Sequence, residues 1–301
     1  MSNSAALISV IVPTHNRPEM LQKAIKSILV QTCRNFEIIV VNDAGVDVES
    51  IISELSTGED ITYVRHDSNK GPAAARNSGI AAARGKYIAY LDDDDTYYPD
   101  HLETLIDFLQ RNAEYKVAYT DAYRAFYRKK GRGYTLVRKD KWSFDFDYDD
   151  ILVGNFILNA FSVMHEKSCL ETVGLFDEQL STNEDWDMWI RMSQKFEFAH
   201  IRRITAEFSW RLDGSTLSSS KRADFVRTAE LIYEKNRRFA EAKPALLKLQ
   251  AANLEHLKKQ RYGRWLAGER VKLALVTIIG FRGLRFLYKI KLIILGFFRA
   301  Q

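Results

Sequence analysis

Residues 86–95 read Lys86-Tyr87-Ile88-Ala89-Tyr90-Leu91-Asp92-Asp93-Asp94-Asp95, an apolar β-type run that ends abruptly in four carboxylates. Neighbouring carboxylates repel one another and raise one another's pKa unless a cation lies among them. Carboxylate oxygens are the ligands that Mg²⁺ and Mn²⁺ prefer, and no cluster of His and Cys residues accompanies them to indicate zinc. The run therefore predicts a divalent metal site, with a solvated acidic turn as the alternative.

Alternating β-type and helical stretches precede this run. The β-type stretches are residues 8–12, 36–41 and 61–64, and the helical stretches are residues 18–31, 48–55 and 72–83. This alternation is typical of a parallel, Rossmann-like sheet with right-handed crossovers. Ligands bind beyond the carboxyl ends of the strands in such a sheet. Polar residues follow three of the predicted strands at that position, namely Thr14, Asp43 and Asp92 to Asp95.

The pattern is less regular after the aspartates. We predict a helix from Pro99 to about Asn112, a hairpin from residues 117–127 and 134–138, a strand over residues 156–164, a short helix over residues 167–173 and a last strand or pair over residues 198–210. Another helix begins near Glu184 with acidic residues in its first turn, where the helix dipole favours them. Beyond Ser220 the pattern is helical to about Lys259, with Pro244 as a break.

The length of 301 residues allows one large domain with an appendage. Only Cys33 and Cys169 are present, which excludes a disulfide framework and a zinc pattern and favours a reducing, cytoplasmic compartment. The N-terminus lacks the basic segment and long apolar core of a signal peptide. No apolar stretch reaches the roughly 18 residues that a membrane-spanning helix needs.

Five motifs occur in order along the chain. They are Pro13-Thr14-His15-Asn16-Arg17, the strand end Asn42-Asp43, the segment from Asn69 to Asn77, the loop from Leu91 to Asp95, and Glu184-Asp185. With these motifs the chain resembles glycosyltransferase family 2 over residues 7–215. The resemblance implies an α/β GT-A fold with a mainly parallel sheet flanked by helices, a nucleotide-diphosphate-sugar donor, a divalent metal and inversion at the anomeric carbon.

The expected domain organisation follows from the resemblance and the helical pattern. We expect a GT-A catalytic domain over residues 1–215, divided into a nucleotide-sugar-binding half (1–115) and an acceptor-binding half (116–215). A helical C-terminal region follows over residues 216–301, and its last part (261–301) is basic and amphipathic.

The resemblance also assigns donor-binding residues. Thr14 and Asp43 are expected at the nucleoside, with Asp43 accepting a hydrogen bond from the base, and Arg76 near the base or ribose. The full donor set is Pro13, Thr14, Asn16, Arg17, Asp43, Lys70, Arg76, Asp92 and Asp93. The family usually shows Asp-Asp-Gly-Ser where this chain has Asn42-Asp43-Ala44-Gly45.

Asp92-x-Asp94 matches the family's DxD motif, whose last Asp contacts the metal. Four aspartates leave a second register open, Asp93/Asp95, and we choose the first because Pro99-Asp100 then falls at the family's offset. The expected ligands of Mn²⁺ or Mg²⁺ are Asp94, Asp92 and Asp213. Asp213 stands near the point where many members of the family have a His, and capping of the Gly214 turn is its alternative role.

Asp185 matches the family's catalytic base, which would deprotonate the acceptor hydroxyl. The alternative is a carboxylate that only stabilises the helix dipole. Glu184, Trp210 and Arg211 are expected as acceptor-side or accessory residues.

The tail from Arg261 onward carries nine Lys and Arg residues and one acid, so its formal charge is +8 and the rest of the chain carries −3. Arg282, Arg285 and Lys289 share one helical face among large apolar residues. Such a segment favours binding in the headgroup plane of an anionic leaflet. A helix packed on the protein and a dimer interface are the alternatives, and a homo-oligomer is compatible with the sequence. The tail is too aliphatic and too poor in stacking residues for nucleic acid.

These observations predict an inverting, metal-dependent glycosyltransferase with a UDP-sugar as the expected donor. It would act peripherally at the inner face of the plasma membrane on a surface polysaccharide or lipid-linked glycan. A nucleotidyltransferase is the first alternative, but it needs a Gly-rich triphosphate loop with a Lys after the first strand, and residues 13–18 are not of that kind. A non-catalytic nucleotide- or glycan-binding scaffold is the second.

Overall fold

The computed structural model describes residues 7–56, 60–131, 133–157, 160–215 and 222–261, so the basic tail after Arg261 lies outside the described residues. The strands are β1 (Ile8–Thr14), β2 (Phe36–Asn42), β3 (Ile61–Arg65), β4 (Tyr87–Tyr90), β5 (Thr96–Tyr97), β6 (Val117–Lys130), β7 (Gly133–Trp142), β8 (Val163–Glu166) and β9 (Phe198–Arg211). The α-helices are α1 (Pro18–Leu29), α2 (Glu49–Leu55), α3 (Pro72–Ala82), α4 (His101–Arg111), α5 (Tyr148–Ile151), α6 (Cys169–Val173), α7 (Glu184–Ser193), α8 (Arg222–Lys235), α9 (Arg237–Glu241) and α10 (Pro244–Arg261). In these ranges no helix combines the length and the apolar character that crossing a membrane requires.

The strands form one mixed sheet in the order β3-β2-β1-β4-β8-β6-β9-β5, with β7 paired to β6. Strands β1 to β4 are parallel, as the alternating βα pattern predicts. The second half is mixed, because β8 runs antiparallel to both β4 and β6 whereas β9 runs parallel to β6. The α/β class predicted from the sequence is confirmed.

The parallel register brings the carboxyl ends of the first strands to one edge. Thr14 lies opposite Asn42, and Ile11 lies opposite Tyr90, the last residue of β4. Strands β1 and β2 are almost wholly buried, as expected of β-branched strands covered by helices on both faces. The residues that follow these strands therefore meet at one edge of the sheet.

Helix α3 packs closely on β1 because its contact face is made of small residues. A Cβ at Gly79 would lie 2.4 Å from Cγ2 of Ile11, and Ala73, Ala74 and Ala75 are also buried. The close approach fixes α3 against the sheet and places Arg76, which is only 4% exposed, at the carboxyl edge.

Two of the differences between the structure and the sequence prediction concern the sheet. Strand β8 starts at Val163, after a short 3₁₀ helix at Ala160–Ser162, whereas we predicted a strand over residues 156–164. The two-residue strand β5 was not predicted, since it is too short to show a period. It pairs with β9 through Thr96 opposite Glu207 and Tyr97 opposite Ala206.

The chain divides into two compact units, residues 1–146 with 157–228 and residues 147–156 with 229–301. In the second unit, side chains of the helical part donate hydrogen bonds to backbone carbonyl groups of the segment 147–156. The Tyr233 hydroxyl and the Asn253 amide donate to the carbonyl of Val153 at 2.6 and 2.9 Å. The Gln250 amide donates to the carbonyl of Leu152 at 2.8 Å. The candidate site described below lies wholly in the first unit.

Candidate active site

The segment Asp92–Asp95, called here the aspartate loop, follows β4 as a tight turn in which the amide of Asp95 donates to the carbonyl of Asp92 at 3.0 Å. Asp93 and Asp95 are 4% and 2% exposed. Oδ1 of Asp95 accepts a hydrogen bond from the amide of Ser209 on β9 at 3.0 Å. Oδ2 of Asp95 is buried and has no hydrogen-bond partner among the described residues. The pairing of β5 with β9 therefore closes one side of the loop.

Three arginines from distant segments reach the aspartate loop. Arg17, directly after β1, contacts Oδ1 of Asp93 at 2.9 Å and Oδ2 of Asp94 at 3.2 Å. Arg211, the last residue of β9, contacts Oδ2 of Asp94 at 2.7 Å. Arg76 of α3 contacts Oδ1 of Asp92 at 2.6 Å. The repulsion that led us to predict a metal is therefore already reduced by guanidinium groups of the chain itself.

Burial nevertheless raises the pKa of two of these carboxyl groups. The pKa of Asp93 rises to about 6, first because the side chain is desolvated and then because Asp94 is adjacent; Arg17 and a hydrogen bond from the Thr14 hydroxyl at 2.8 Å oppose the rise. Burial raises the pKa of Asp95 well above its usual value, and its acidic neighbours add to the effect. The loop is thus an electrostatically crowded site.

Asp43, at the end of β2, holds the segment that leads into α3. Its carboxylate accepts hydrogen bonds from the amides of Lys70 and Gly71 at 2.8 and 2.7 Å, and Nδ1 of His66 lies 2.7 Å from Oδ1. The side chain of Lys70 is exposed, and only its backbone takes part. Asp43 therefore positions the start of α3, from which Arg76 extends.

Two non-glycine residues beside Asp43 have left-handed backbone conformations. Asn16 has φ 58° and Ala44 has φ 56°. Oδ1 of Asn16 accepts from the amide of Val46 at 2.8 Å, which ties the loop after β1 to the loop after β2. Ala44 occupies the position where the family usually has Gly, a residue without a steric penalty in this region. Residues held in such sparsely populated conformations are frequent at functional sites.

Helix α7 brings a second pair of acids to the site. Asn183 precedes the helix with φ 59°, and Glu184 and Asp185 are its first two residues, 7% and 8% exposed. Nη1 of Arg76 donates to Oε1 of Glu184 at 2.5 Å while Nη2 contacts Asp92. One buried guanidinium thus joins the aspartate loop to the start of α7.

The pKa of Asp185 is raised to about 7. Desolvation by burial is the largest cause and the charge of Glu184 is the next, whereas Arg76 and the amide of Trp186 act in the opposite direction. A carboxyl group with a pKa near neutrality can accept and release a proton under physiological conditions.

Three predicted residues make contacts of another kind. Asp213 is exposed, and its carboxylate accepts hydrogen bonds from the Ser215 hydroxyl at 2.7 Å and the Tyr134 hydroxyl at 2.8 Å. Trp210 packs against Phe208 with ring centroids 5.9 Å apart. Pro13 is a partly buried residue within β1. Asp213 still connects to the site, because Nε of Arg211 donates to the same Ser215 hydroxyl at 2.9 Å.

The donor set of the aspartate loop fits a hard divalent cation. The aspartate carboxylates offer only oxygen atoms as ligands of such a cation. Arg17 and Arg211 both contact the Oδ2 atom of Asp94. Within the described ranges, no three or more His, Cys, Asp or Glu side chains are grouped as ligands of a metal ion.

Sequence reasoning missed two residues of the site. His66 directly follows β3, and the rule that polar residues after parallel strands meet at one edge could have identified it. Ser209 contributes its amide, and no sequence signal marks a backbone group.

The family model described as Glycosyl transferase family 2 matches residues 9–165, more than half of the chain, and the chain belongs to this family. The putative colanic acid biosynthesis glycosyl transferase WcaA of Escherichia coli is 31% identical over 194 residues, which are 62% of this chain and 66% of that protein. The chain spans 33% and 58% of the lengths of two uncharacterized Rickettsia glycosyltransferases that it matches.

Solved structures share the fold. S. aureus TarS 1–349 in complex with UDP-GlcNAc has a TM-score of 0.58 at 19% identity, over 75% of this chain and 65% of that one. The mannosyltransferase PcManGT of Pyrobaculum calidifontis, in complex with GDP-Man and Mn²⁺, has a TM-score of 0.56 at 14% identity, over 94% of this chain and 83% of that one. The fold is therefore of the GT-A type that the sequence predicts.

Proposed function

We propose that this protein is an inverting glycosyltransferase that moves a sugar from a nucleotide-diphosphate donor to a hydroxyl group of a glycan acceptor. The observation that carries the proposal is the bridge made by Arg76 between Asp92 of the aspartate loop and Glu184 at the start of α7. This bridge connects a candidate diphosphate and metal site to Glu184, the neighbour of Asp185, a buried carboxyl group whose pKa of about 7 suits a proton acceptor.

In the proposed reaction, Asp185 accepts the proton of the acceptor hydroxyl. The acceptor oxygen forms a bond to the anomeric carbon, and the bond from that carbon to the diphosphate oxygen breaks. The diphosphate leaves with the electron pair of that bond. Because the attack is in line with the departing group, the configuration at the anomeric carbon inverts.

Donor binding is proposed at the carboxyl edge of β1, β2 and β4. The solved structures of TarS and PcManGT are complexes with UDP-GlcNAc and GDP-Man, so sugars of both nucleotides bind to this fold. Asp43 and Thr14 are proposed at the nucleoside, Arg76 near the base or ribose, and Arg17 near the diphosphate. Arginine suits that place because its planar guanidinium donates two parallel hydrogen bonds to phosphate oxygens.

A divalent cation is proposed on Asp94 and Asp92, with Asp213 as a further candidate ligand. The oxygen donors fit Mn²⁺ or Mg²⁺, and PcManGT is described in complex with Mn²⁺. When bound, such a cation would stabilise the charge that develops on the leaving diphosphate. The residues of this chain would hold it at the end of β4.

The acceptor is proposed to be a surface polysaccharide or lipid-linked glycan, a choice supported by the description of WcaA as a colanic acid biosynthesis enzyme. Residues 261–301 are proposed to hold the protein on an anionic membrane surface, because their charge of +8 is interspersed with large apolar side chains. Vesicle flotation with and without phosphatidylglycerol tests this part.

The donor is identified by thermal unfolding of the wild type and Asp94→Ala with UDP, dTDP, GDP or CMP, each with and without Mn²⁺. A ligand at about 100 times its Kd adds about 2.7 kcal/mol to the free energy of unfolding. We expect one nucleotide to stabilise the wild type in the presence of Mn²⁺ and Asp94→Ala to lose that effect. If no nucleotide stabilises the wild type, the proposal is wrong and a non-catalytic scaffold becomes the better interpretation.

A further inference from the structure

Two of the three arginines at the aspartate loop converge on one oxygen atom. Arg17 and Arg211 both contact Oδ2 of Asp94, at 3.2 and 2.7 Å. They are far apart in sequence, since Arg17 follows β1 and Arg211 ends β9. Placing two like charges on one oxygen is unfavourable unless their negative partner attracts both strongly. Asp94 is therefore a point where positive charge is concentrated.

Arg76 differs from this pair in its surroundings. Its side chain is 4% exposed. It is held between the carboxylates of Asp92 and Glu184, which lie on different elements. The side chain of Arg17 is 29% exposed and begins on a loop, which leaves it room to move. Arg211 is buried, and it also donates to the Ser215 hydroxyl and contacts the sulfur of Met20.

These contacts put the arginines in competition with any cation for Asp94. A divalent cation on Asp94 would lie close to two guanidinium groups and be repelled by them. A nucleoside diphosphate changes this balance, because its phosphate oxygens are strong acceptors for guanidinium groups. The same two arginines can then leave Asp94 and bind the incoming phosphates.

We propose that Arg17 and Arg211 are exchangeable counter-cations of Asp94, which they release to a divalent cation only when a nucleoside diphosphate arrives to bind them. The inference rests on the proposed function, since it takes the diphosphate to be the ligand of this edge. Arg211, which the sequence analysis assigns to the acceptor side, is thereby assigned to the diphosphate. The inference also requires that cation and nucleotide each raise the affinity for the other by the same factor.

The experiment compares Mn²⁺ binding with nucleotide binding in the wild type, Arg17→Gln and Arg211→Gln. Free Mn²⁺ is measured by electron paramagnetic resonance without nucleotide, and the nucleoside diphosphate selected by thermal unfolding is then titrated by calorimetry with Mn²⁺ present. Removing one positive charge close to Asp94 should tighten binding of Mn²⁺ alone by about tenfold and weaken nucleotide binding by about tenfold. These opposite signs distinguish a counter-cation from a residue that only supports the fold.

Two controls accompany these variants. Arg111→Gln removes an arginine that is largely exposed on α4 and pairs with Asp107, and neither affinity should change. Arg211→Lys keeps the positive charge, so its affinity for Mn²⁺ alone should stay near that of the wild type. Circular dichroism and thermal unfolding establish that each variant is folded before it is titrated.

Weaker or unchanged binding of Mn²⁺ alone in both Gln variants would overturn the inference, as would an Arg211→Lys protein that behaves like Arg211→Gln. The proposed function fails separately. If the wild type binds no nucleoside diphosphate but the Gln variants still gain affinity for Mn²⁺, the glycosyltransferase proposal is wrong and the counter-cation role of the arginines is supported.

Discussion

The two acidic regions of the site, the aspartate loop and the start of α7, hold their charges in different ways. In the loop, Asp92, Asp93 and Asp94 each contact at least one guanidinium group, supplied by Arg76, Arg17 and Arg211. At α7, the carboxylates of Glu184 and Asp185 are buried side by side, and Arg76 contacts Glu184.

The consequence is a difference in what each region can bind. Carboxylates paired with mobile or exchangeable cations can exchange one positive partner for another, such as a metal ion. Asp185 is desolvated and lies beside the charge of Glu184, and its pKa rises to about 7. In the proposed mechanism, the same residue type therefore serves as a cation site in one place and as a proton site in the other, because its surroundings differ.

The largest effect is expected from Asp185→Asn, which removes the proton acceptor while keeping the shape of the side chain. Transfer from the identified donor should slow by about 10² to 10⁴-fold, the range typical of a general base. The Kd of the nucleotide should change by less than about threefold, since Asp185 lies on the acceptor side of the proposed reaction. Initial rates of transfer into a membrane glycan extract and calorimetry with nucleotide measure the two quantities.

Asp107→Asn is the matched control, because Asp107 lies on the outer surface of α4 and pairs with Arg111. Its rate should equal that of the wild type. An Asp185→Asn protein with more than about a tenth of the wild-type rate would show that α7 supplies no general base. The two acidic regions would then not differ in the way proposed here.

Arg76→Met should have the next largest effect, on stability. The change leaves Asp92 and Glu184 without their shared partner, and breaking a buried ion pair from one side costs about 3 to 5 kcal/mol. Urea unfolding followed by tryptophan fluorescence measures the loss. A cost below about 1 kcal/mol would mean that Arg76 does not join the two regions.

Arg111→Met serves as the control for Arg76→Met. Its ion pair with Asp107 is exposed, and exposed pairs contribute only about 0 to 1 kcal/mol. Arg76→Lys keeps the charge but has no planar fork, so it should recover part of the stability and leave one of the two carboxylates without a contact.

The sequence predicts the parallel half of the sheet and its acidic edge because those features depend on local periodicity. Strands β1 to β4 each show an apolar run followed by polar residues, and the register then brings Thr14, Asp43 and the aspartate loop together. The choice of Asp185 came from the family motif rather than from periodicity. Its assignment as the base remains a prediction.

The pairing of charges could not be predicted in the same way. Arg76 and Glu184 are 108 residues apart, and Arg211 and Asp94 are 117 apart. Periodicity assigns these residues to elements but does not say which arginine meets which carboxylate. A bound metal ion is one cation that can neutralise the four aspartates, and the chain itself brings three arginines to the same loop. The two-residue strand β5, which aligns β9 with the loop, leaves no sequence signal at all.

The pH dependence of the rate tests the proton site at α7. Asp185 must be ionised to accept a proton, so the rate should rise about tenfold per pH unit below its pKa of about 7 and level off above it. Since the folded pKa lies above that of an unfolded Asp, this group stabilises the fold fully below about pH 4, and the contribution is lost as the pH rises through about 7. Stability of Asp185→Asn should lack this dependence. A flat rate profile between pH 5 and 8 would contradict the assignment.

The smallest effect is expected from Asp213→Asn, which decides whether the cation site extends beyond the aspartate loop. Asp213 is exposed, and hydrogen bonds from Ser215 and Tyr134 lower its pKa to about 2. Because these donors already occupy its carboxylate, we expect the affinity for Mn²⁺ with nucleotide to fall by less than about threefold, against a loss of about a hundredfold or more in Asp94→Ala. Calorimetry with both ligands measures these changes. A loss in Asp213→Asn comparable to that in Asp94→Ala would add Asp213 to the ligands. It would also show that the turn after β9 rearranges when the cation binds, since the Ser215 hydroxyl that Asp213 holds also accepts a hydrogen bond from Arg211.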